Sequence, residues 1–410
     1  MIRDLIVLLS IAGIALGRIP YLRMNRASIA FVGAVAVVAF GGLPLEKAAH
    51  ALDLETLVLL FSMMVISVNL QLSGFFRIAE DRITRFARTP RQLLALILLS
   101  SGIFSAFFLN DTVVLMFTPL VTIIVLELQR NPIPYLIGLG VSANIGSAMT
   151  IIGNPQNMMI GVSSRIDFFK FLGVLSVPSL LGLAVAYGVI VLFFREEFAP
   201  YRFPPIPPHR RFVYPPLLWK SLTSLGIFLL GILLKVPLPF AGLLAASFLL
   251  VTRRIHPEKI FNDVDWSLLV LFAGLFVLIE ALDQDRLFHR FIEYLTSFAE
   301  SNTFLFSAVA AVLSNLVSNV PAVMLLKPGI SLLAHPEKAW ITLAMASTYA
   351  GNFTLLGSIA NLIVAESAKK HGVHLGFFQF LKVGVPLTIL TILVGAAWIE
   401  ILYHLSFRIF

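Results

Sequence analysis

Apolar runs close to membrane-crossing length recur from one end of this chain to the other, and nothing else constrains its fold as strongly. A crossing helix needs about 20 mostly apolar residues. Full spans are expected near 5–20, 27–43, 54–72, 135–161, 173–194, 217–234, 237–252, 266–282, 339–364 and 381–404. Composition agrees: 58% of residues are hydrophobic and 13% charged, against roughly 45–50% and 25% in soluble chains. The first run, Leu5 to Leu16, lacks a basic start and a small-residue cleavage site, so it reads as a span rather than a signal peptide. The expected fold is an all-α polytopic membrane protein in the cell (inner) membrane, with the lipid bilayer as its main partner. With no cysteine, disulfides, thiolate metal sites and thiol chemistry are excluded.

Two further stretches, about 93–128 and 302–334, are apolar but carry a polar break in the middle, at Asn110-Asp111 and Ser318-Asn319. Each arm is about 16 residues, short for a crossing. They read as re-entrant helical hairpins, which a bilayer tolerates where protein or a cavity covers the turn.

The halves resemble each other at an offset of about 204 to 209 residues. Asn110 and Pro119 recur as Asn319 and Pro328. Thr150-Ile-Ile-Gly153-Asn-Pro-Gln-Asn157 recurs as Thr354-Leu-Leu-Gly357-Ser-Ile-Ala-Asn361, and Phe168-Phe-Lys-Phe-Leu172 as Phe377-Phe-Gln-Phe-Leu381. Polar residues, glycines and prolines in one order do not repeat by hydropathy alone. The expected organisation is a first repeat over 1–195 (hairpin 93–128, broken helix 135–161), a cytoplasmic linker over 196–216, and a second repeat over 217–410 (hairpin 302–334, broken helix 339–364). Each repeat has five full spans. Five is odd, so the second inserts upside down, giving about ten spans, two hairpins and two broken helices. Inverted repeats with interrupted helices are the architecture of secondary transporters.

Loop charge orients the chain. Arg18, Arg23, Arg26, Arg77, Arg82, Arg85, Arg88, Arg91, Arg130, Arg195, Arg202, Arg210, Arg211, Arg253, Arg254, Lys259, Lys369 and Lys370 share one side, about 18 of the 30 basic residues. That side is read as cytoplasmic, which puts both termini outside. The net charge of +8 is then a topology signal, and no nucleic-acid partner is expected. Phe75–Arg88 and Asp285–Phe298 read as amphipathic interfacial stretches.

The candidate substrate or ion-binding residues sit at the breaks. Gly153 and Pro155 interrupt a helix, because proline lacks an N–H and biases Asn154 away from helical geometry. The freed backbone groups need a ligand or side chains such as Asn144, Thr150, Asn154 and Asn157. In the second copy, Thr348, Asn352, Thr354, Gly357, Ser358 and Asn361 play the same part, with a milder break expected because the proline is missing. The hairpin tips add Asn110, Asp111, Thr112, Ser318 and Asn319. Asp111 is a functional candidate because an acid inside a membrane is costly. It is the proton-coupling candidate, with a helix N-cap as its structural alternative. Its counterpart is Val320, so the charge is not symmetric. No Lys or Arg stands near the breaks. Glu280 and Asp283 read as a solvated helix end, Asn69 as a buried polar residue, and Gly13 and Gly17 as helix-packing positions. Neither a metalloprotease motif nor a nucleophile elbow occurs, so no enzyme, metal site or cofactor is expected.

Leu109-Asn-Asp-Thr-Val-Val-Leu-Met-Phe-Thr-Pro119, Ser142-Ala-Asn-Ile-Gly146, Gly153-Asn-Pro-Gln-Asn157, Leu316-Val-Ser-Asn-Val-Pro321 and Gly351 through Asn361 resemble the ion transporter superfamily. That group includes arsenite permeases, sodium/proton antiporters and divalent anion/sodium symporters. The first-tip Asn-Asp and the Thr-Pro that follows look most like the arsenite and anion permease branch. The resemblance implies a scaffold part that dimerises in several members, hence a possible homodimer, and a hairpin-bearing transport part that moves as an elevator. Dicarboxylate symporters carry Ser-Asn-Thr at both tips. Here the second tip, Ser318-Asn319-Val320-Pro321, lacks the threonine, which argues against sodium-coupled dicarboxylate uptake. An acid at the tip favours H⁺ over Na⁺ as the coupling ion. The leading expectation is a proton-coupled efflux antiporter for arsenite or antimonite, conferring arsenical resistance. With no thiol available, arsenite would bind as its neutral hydroxide through Asn110, Asn144, Asn154 and Asn319. The alternatives are a sodium- or proton-coupled carrier of a carboxylate or other anion, and a channel.

Overall fold

The computed structural model describes residues 2–17, 22–203, 213–251, 256–283, 285–333 and 336–409. Arg18, Arg210, Arg211, Arg253 and Arg254, and residues 204–212 of the expected linker, lie outside the described residues. Within them the fold is all-helical, with no strand.

The helices of the first half are α1 (Ile2–Leu16), α2 (Arg26–Phe40), α3 (Leu45–His50), α4 (Leu54–Ser73), α5 (Phe75–Phe86), α6 (Pro90–Phe107), α7 (Asn110–Glu127), α8 (Ile133–Ser147), α9 (Pro155–Ser164) and α10 (Phe168–Phe193). The second half repeats the order: α11 (Pro215–Leu233), α12 (Leu238–Leu250), α13 (Pro257–Asn262), α14 (Trp266–Leu282), α15 (Arg286–Ser301), α16 (Thr303–Val317), α17 (Asn319–Ile330), α18 (Pro336–Ala350), α19 (Ile359–Lys369) and α20 (Phe377–Ile409). Both α4 and α14 start on an aspartate, Asp53 or Asp265, whose side chain accepts from a first-turn N–H. Both α7 and α17 carry the shared proline inside the helix.

The repeats are inverted. The equivalent helices α10 and α20 pack along each other, and their side chains fix the direction. Trp398, late in α20, donates its indole N–H to Val174 O, early in α10, at 2.8 Å. Lys382, early in α20, lies 5.9 Å from the ring centroid of Phe193, the last residue of α10. The two helices are therefore antiparallel.

Helix packing is reciprocal: α2 lies on α14 as α12 lies on α4, and α6 on α8 as α16 on α18. Two groups result. One holds α1, α2, α4, α11, α12 and α14. The other holds the hairpins α6–α7 and α16–α17, the broken helices α8–α9 and α18–α19, and α10 with α20. The groups meet through α1 with α16, α4 with α9, and α14 with α17. The amphipathic helices α5 and α15 flank the hairpins. In α5, Phe76 and Ile83 are buried while Arg77, Arg82 and Arg85 are exposed, and α15 buries Ile292, Thr296 and Ala299.

Among the described residues, six helices are long and apolar enough to cross a membrane, α6 and α7 among them. These two nevertheless form a re-entrant hairpin, because their tip meets the middle of a broken helix: Asn110 N–H donates to Gly153 O at 3.0 Å.

Candidate functional site

Both breaks are wide. The helix stops over 148–154 in the first half and over 351–358 in the second. The expectation of a milder second break is overturned, since that break is the longer by one residue. Ser358 replaces the proline's role as the point where a new helix starts: it is extended and its side chain accepts from Ala360 N–H. Asn154 does the same for α9, accepting from Asn157 N–H.

Much of the polar character at the breaks is spent on the breaks themselves. Asn157 Nδ2 donates to Thr150 O at 3.0 Å and to Ser147 O at 3.3 Å. Asn361 Nδ2 donates to Gly351 O at 2.9 Å. Thr150 donates to Ala106 O and ties the first break to the first hairpin. In the second half Asn315, outside the expected set, ties the hairpin to the break by donating to Ala350 O at 3.0 Å. Asn144 joins the halves: its Nδ2 donates to Asn352 Oδ1 at 2.8 Å, while its Oδ1 accepts from Asn110 at 3.1 Å and Ser358 at 3.0 Å. Asn154 donates to Ser147 Oγ at 2.9 Å and reaches Thr348 Oγ1 at 3.4 Å. Gly153 and Gly357 permit the close turns; a Cβ on Gly153 would lie 2.3 Å from Ser147 O.

A small cavity, about 40 Å³, opens where the hairpin tips and breaks meet. Its wall contains Asn110 and Asp111 from the start of α7, Pro155 and Gln156 from α9, Ser318 through Pro321 from α17, and Ser358 and Ile359 from α19. Four helix N-termini thus face one space. Each carries roughly half a positive elementary charge. The remaining wall comes from the other helix group: Ile14, Arg26, Leu268 and Leu271.

Of the expected residues, the wall therefore takes Asn110, Asp111, Ser318, Asn319 and Ser358. Asn144, Thr150, Gly153, Asn154, Asn157, Thr348, Asn352, Gly357 and Asn361 stand behind it as a buried frame. Thr112 and Thr354 are half-buried, line no part of the cavity and make no side-chain hydrogen bond among the described residues.

Asp111 is not a helix cap. Helix α7 starts at Asn110, with Leu109 at the cap position and no side-chain cap bond. Asp111 sits in the first turn, in the positive end of the helix, and no described residue lies within ion-pair or hydrogen-bonding distance of its carboxylate. At the second tip Ser318 has φ 80° and ψ 158°, a region that essentially only glycine adopts and that functional sites retain at a cost. Asn110 is 5% exposed, and its Oδ1 has no donor among the described residues.

Arg26 and Gln156 are the residues that sequence reasoning missed. The absence of a basic residue near the breaks holds along the chain but not in space, because Arg26 reaches the cavity from the first residue of α2. Gln156 lies between two residues already singled out, and its Nε2 donates to Thr348 Oγ1 at 3.2 Å. Away from the cavity, Asn69 is buried and donates to Val65 O at 2.8 Å, and Asp283 lies 3.4 Å from His289.

Residues 6–350 match the family described as citrate transporter. Among curated proteins, the chain is 26% identical to a Dictyostelium discoideum protein named as an arsB transporter, over 92% of this chain and 87% of that one. It is 27% identical to the silicon efflux transporter LSI3 of Oryza sativa subsp. japonica, over 92% and 93%. The human P protein is 27% identical over 91% of this chain and 56% of its own length. The YdaH transporter of Alcanivorax borkumensis, whose crystal structure shows an unusual topology, shares the fold with a TM-score of 0.59 at 13% identity, covering 98% of both chains.

Proposed function

The chain belongs to the citrate transporter family, and from that premise we propose that it is a proton-coupled secondary transporter exporting a small, oxygen-rich inorganic solute of the arsenite or antimonite class. One observation carries the reading. Four helix N-termini, the Asn110 amide and the Asp111 carboxylate meet in a single small cavity between two helix groups. One water needs about 10–15 Å³ of such space, so about 40 Å³ admits a few heavy atoms rather than a tricarboxylate. Two relatives, named for arsB and for silicon efflux, are in keeping with a small inorganic solute.

Asp111 carries the coupling proton in this reading. It is an acid at the cavity wall, and no cap or ion pair occupies it. The hairpin-bearing group moves as a unit against the other, since only a few helix pairs join them. The 195–203 side is cytoplasmic and both termini are outside. A second reading, a carrier of a carboxylate or other anion, is favoured by Arg26 in the cavity wall.

The test is accumulation in proteoliposomes of the full chain under separately imposed proton and sodium gradients, with arsenite, silicic acid, small oxyanions and dicarboxylates as solutes. Accumulation of a small inorganic solute driven by the proton gradient alone is the expected result. Sodium-driven uptake of a dicarboxylate would replace the reading. Orientation is checked by single cysteines at Arg202 and Lys338, which should label from opposite sides.

A further inference from the structure

The cavity wall has two donors of different origin. The hairpin-bearing group supplies backbone N–H groups from its helix N-termini. The other group supplies one full charge, Arg26, from α2. Its neighbours make way for it: Gly17, at the end of α1, has φ 76°, and a Cβ there would lie 3.4 Å from Arg26 Nε. Two other arginines have carboxylate partners. Arg130 pairs with Glu197 at 2.8 Å, and Arg3 with Asp4 at 3.3 Å. Arg26 is half-buried, and no described residue lies within ion-pair distance of its guanidinium, although Asp111 lines the same cavity. A guanidinium held inside a membrane protein without a direct ion pair is costly. It also presents five N–H donors in a fork that fits two oxygens of one anion.

The charges in the cavity do not cancel. Two carboxylates, Asp111 in the wall and Asp265 near it, stand against one guanidinium and four positive helix ends of roughly half a charge each, so a further negative charge fits. The acceptor side is informative as well. Asn110 lines the cavity, and its buried Oδ1 has no donor among the described residues. A solute that satisfies both ends has negatively charged oxygens for Arg26 and a hydroxyl for Asn110.

We propose that Arg26 determines the charge specificity of the site, and that the solute is a small oxyanion retaining at least one hydroxyl. This rests on the cavity being the transport site, and it develops the anion reading of that site in place of the uncharged arsenite one. The anion bridges the two helix groups, with its charge on Arg26 and its hydroxyl on the hairpin tip.

The test uses the purified full chain in nanodiscs, titrated calorimetrically at neutral pH with arsenate, inorganic phosphate and bicarbonate, and with uncharged arsenite for comparison. The variants are Arg26→Gln and Arg26→Lys, each first shown to be monodisperse. Wild type should bind at least one oxyanion more tightly than arsenite. Arg26→Gln should lower that preference by about ten-fold or more, and Arg26→Lys should fall between, because lysine keeps the charge but not the fork. An unchanged preference in Arg26→Gln would overturn the role of Arg26 and leave the transport site standing. A wild type that prefers arsenite would overturn the oxyanion assignment. A wild type that binds none of the four probes would overturn both, together with the assignment of the cavity as the transport site.

Discussion

The two hairpin tips are built to one plan and differ where it matters chemically. Each tip leads with an asparagine into a helix that carries a proline nine residues on. The first tip follows Asn110 with Asp111; the second follows Asn319 with Val320. The first uses its asparagine to dock on Asn144, at 3.1 Å. In the second, Asn319 accepts from Ser314 of its own hairpin, at 2.6 Å. The backbone difference runs the other way, with the unusual φ at Ser318 in the second tip and an ordinary one at Leu109 in the first. Symmetry therefore sets the scaffold of the site, while its charge comes from the first half alone, from Asp111 and Arg26. In the proposed carrier, the symmetric part would move and the asymmetric part would couple.

The largest expected difference between the halves lies in the breaks. A Cβ on Gly153 would fall 2.3 Å from Ser147 O and 2.7 Å from Ser105 O, both backbone atoms. On Gly357 the nearest contacts are 3.0 Å to Gly351 O and 3.1 Å to the Asn315 side chain. Gly153→Ala should abolish transport and reduce the folded yield. Gly357→Ala should keep the yield and lose part of the rate. Yield by fluorescence-detected size exclusion and flux in liposomes measure both, and equal damage from the two would erase the steric contrast.

The charge asymmetry comes next. Asp111→Asn keeps shape and most hydrogen bonding but removes titration. Proton-driven accumulation should disappear, while solute-for-solute exchange continues. Val320→Asn, the matching change in the other tip, should leave the response to a pH gradient intact. Asn is among the best helix caps, but Asp111 is not at the cap, so a folding defect is not expected. Wild-type accumulation by Asp111→Asn would move coupling to another group.

Smaller effects test the helix starts. Asn154→Ala and Ser358→Ala each remove one cap, worth about 1 kcal/mol. The two should lower the unfolding temperature in nanodiscs by similar amounts. A much larger loss for Asn154 would show that its bonds to Ser147 and Thr348 matter more than the cap itself.

Much of this was legible in the sequence because it follows local rules. Apolar length gave the spans, and Asn, Gly and Pro in one order gave the repeat; its inversion followed from counting spans and is seen in the antiparallel α10 and α20. Two things were not legible. The missing proline suggested a gentler second break, yet Ser358 starts α19 as firmly as Pro155 starts α9. A proline forbids helix continuation, but a cap and close-packed glycines can end a helix as well. Arg26 was read as one more basic loop residue. Its place in the cavity depends on how α2 packs against α14 and faces the hairpins, and no local pattern encodes that. The division of the polar residues into wall and frame is likewise three-dimensional. Asn110 and Asn157 look alike in sequence, but one faces the cavity and the other repairs a broken helix.

The smallest predicted effect concerns the seam between the groups. The residue before the shared proline is Thr118 in the first half and Lys327 in the second. Thr118 is buried and donates to Val114 O at 2.6 Å within its own helix. Lys327 instead reaches across the seam to Asp53, the cap of α4, at 3.7 Å, with side chains 35% and 17% exposed. A pair this long and this accessible contributes about 0–1 kcal/mol. Lys327→Met should therefore move the unfolding temperature little. Its kinetic effect should be easier to see. If the hairpin group slides along α4, this pair has to separate once per cycle, so its loss removes a small barrier that the first half does not have. Turnover should rise by up to a few-fold, and raised ionic strength should narrow the gap between variant and wild type, because salt screens the pair. A fall in turnover, or a gap that does not respond to salt, would mean that Lys327 supports the structure of α17 and that the seam opens elsewhere.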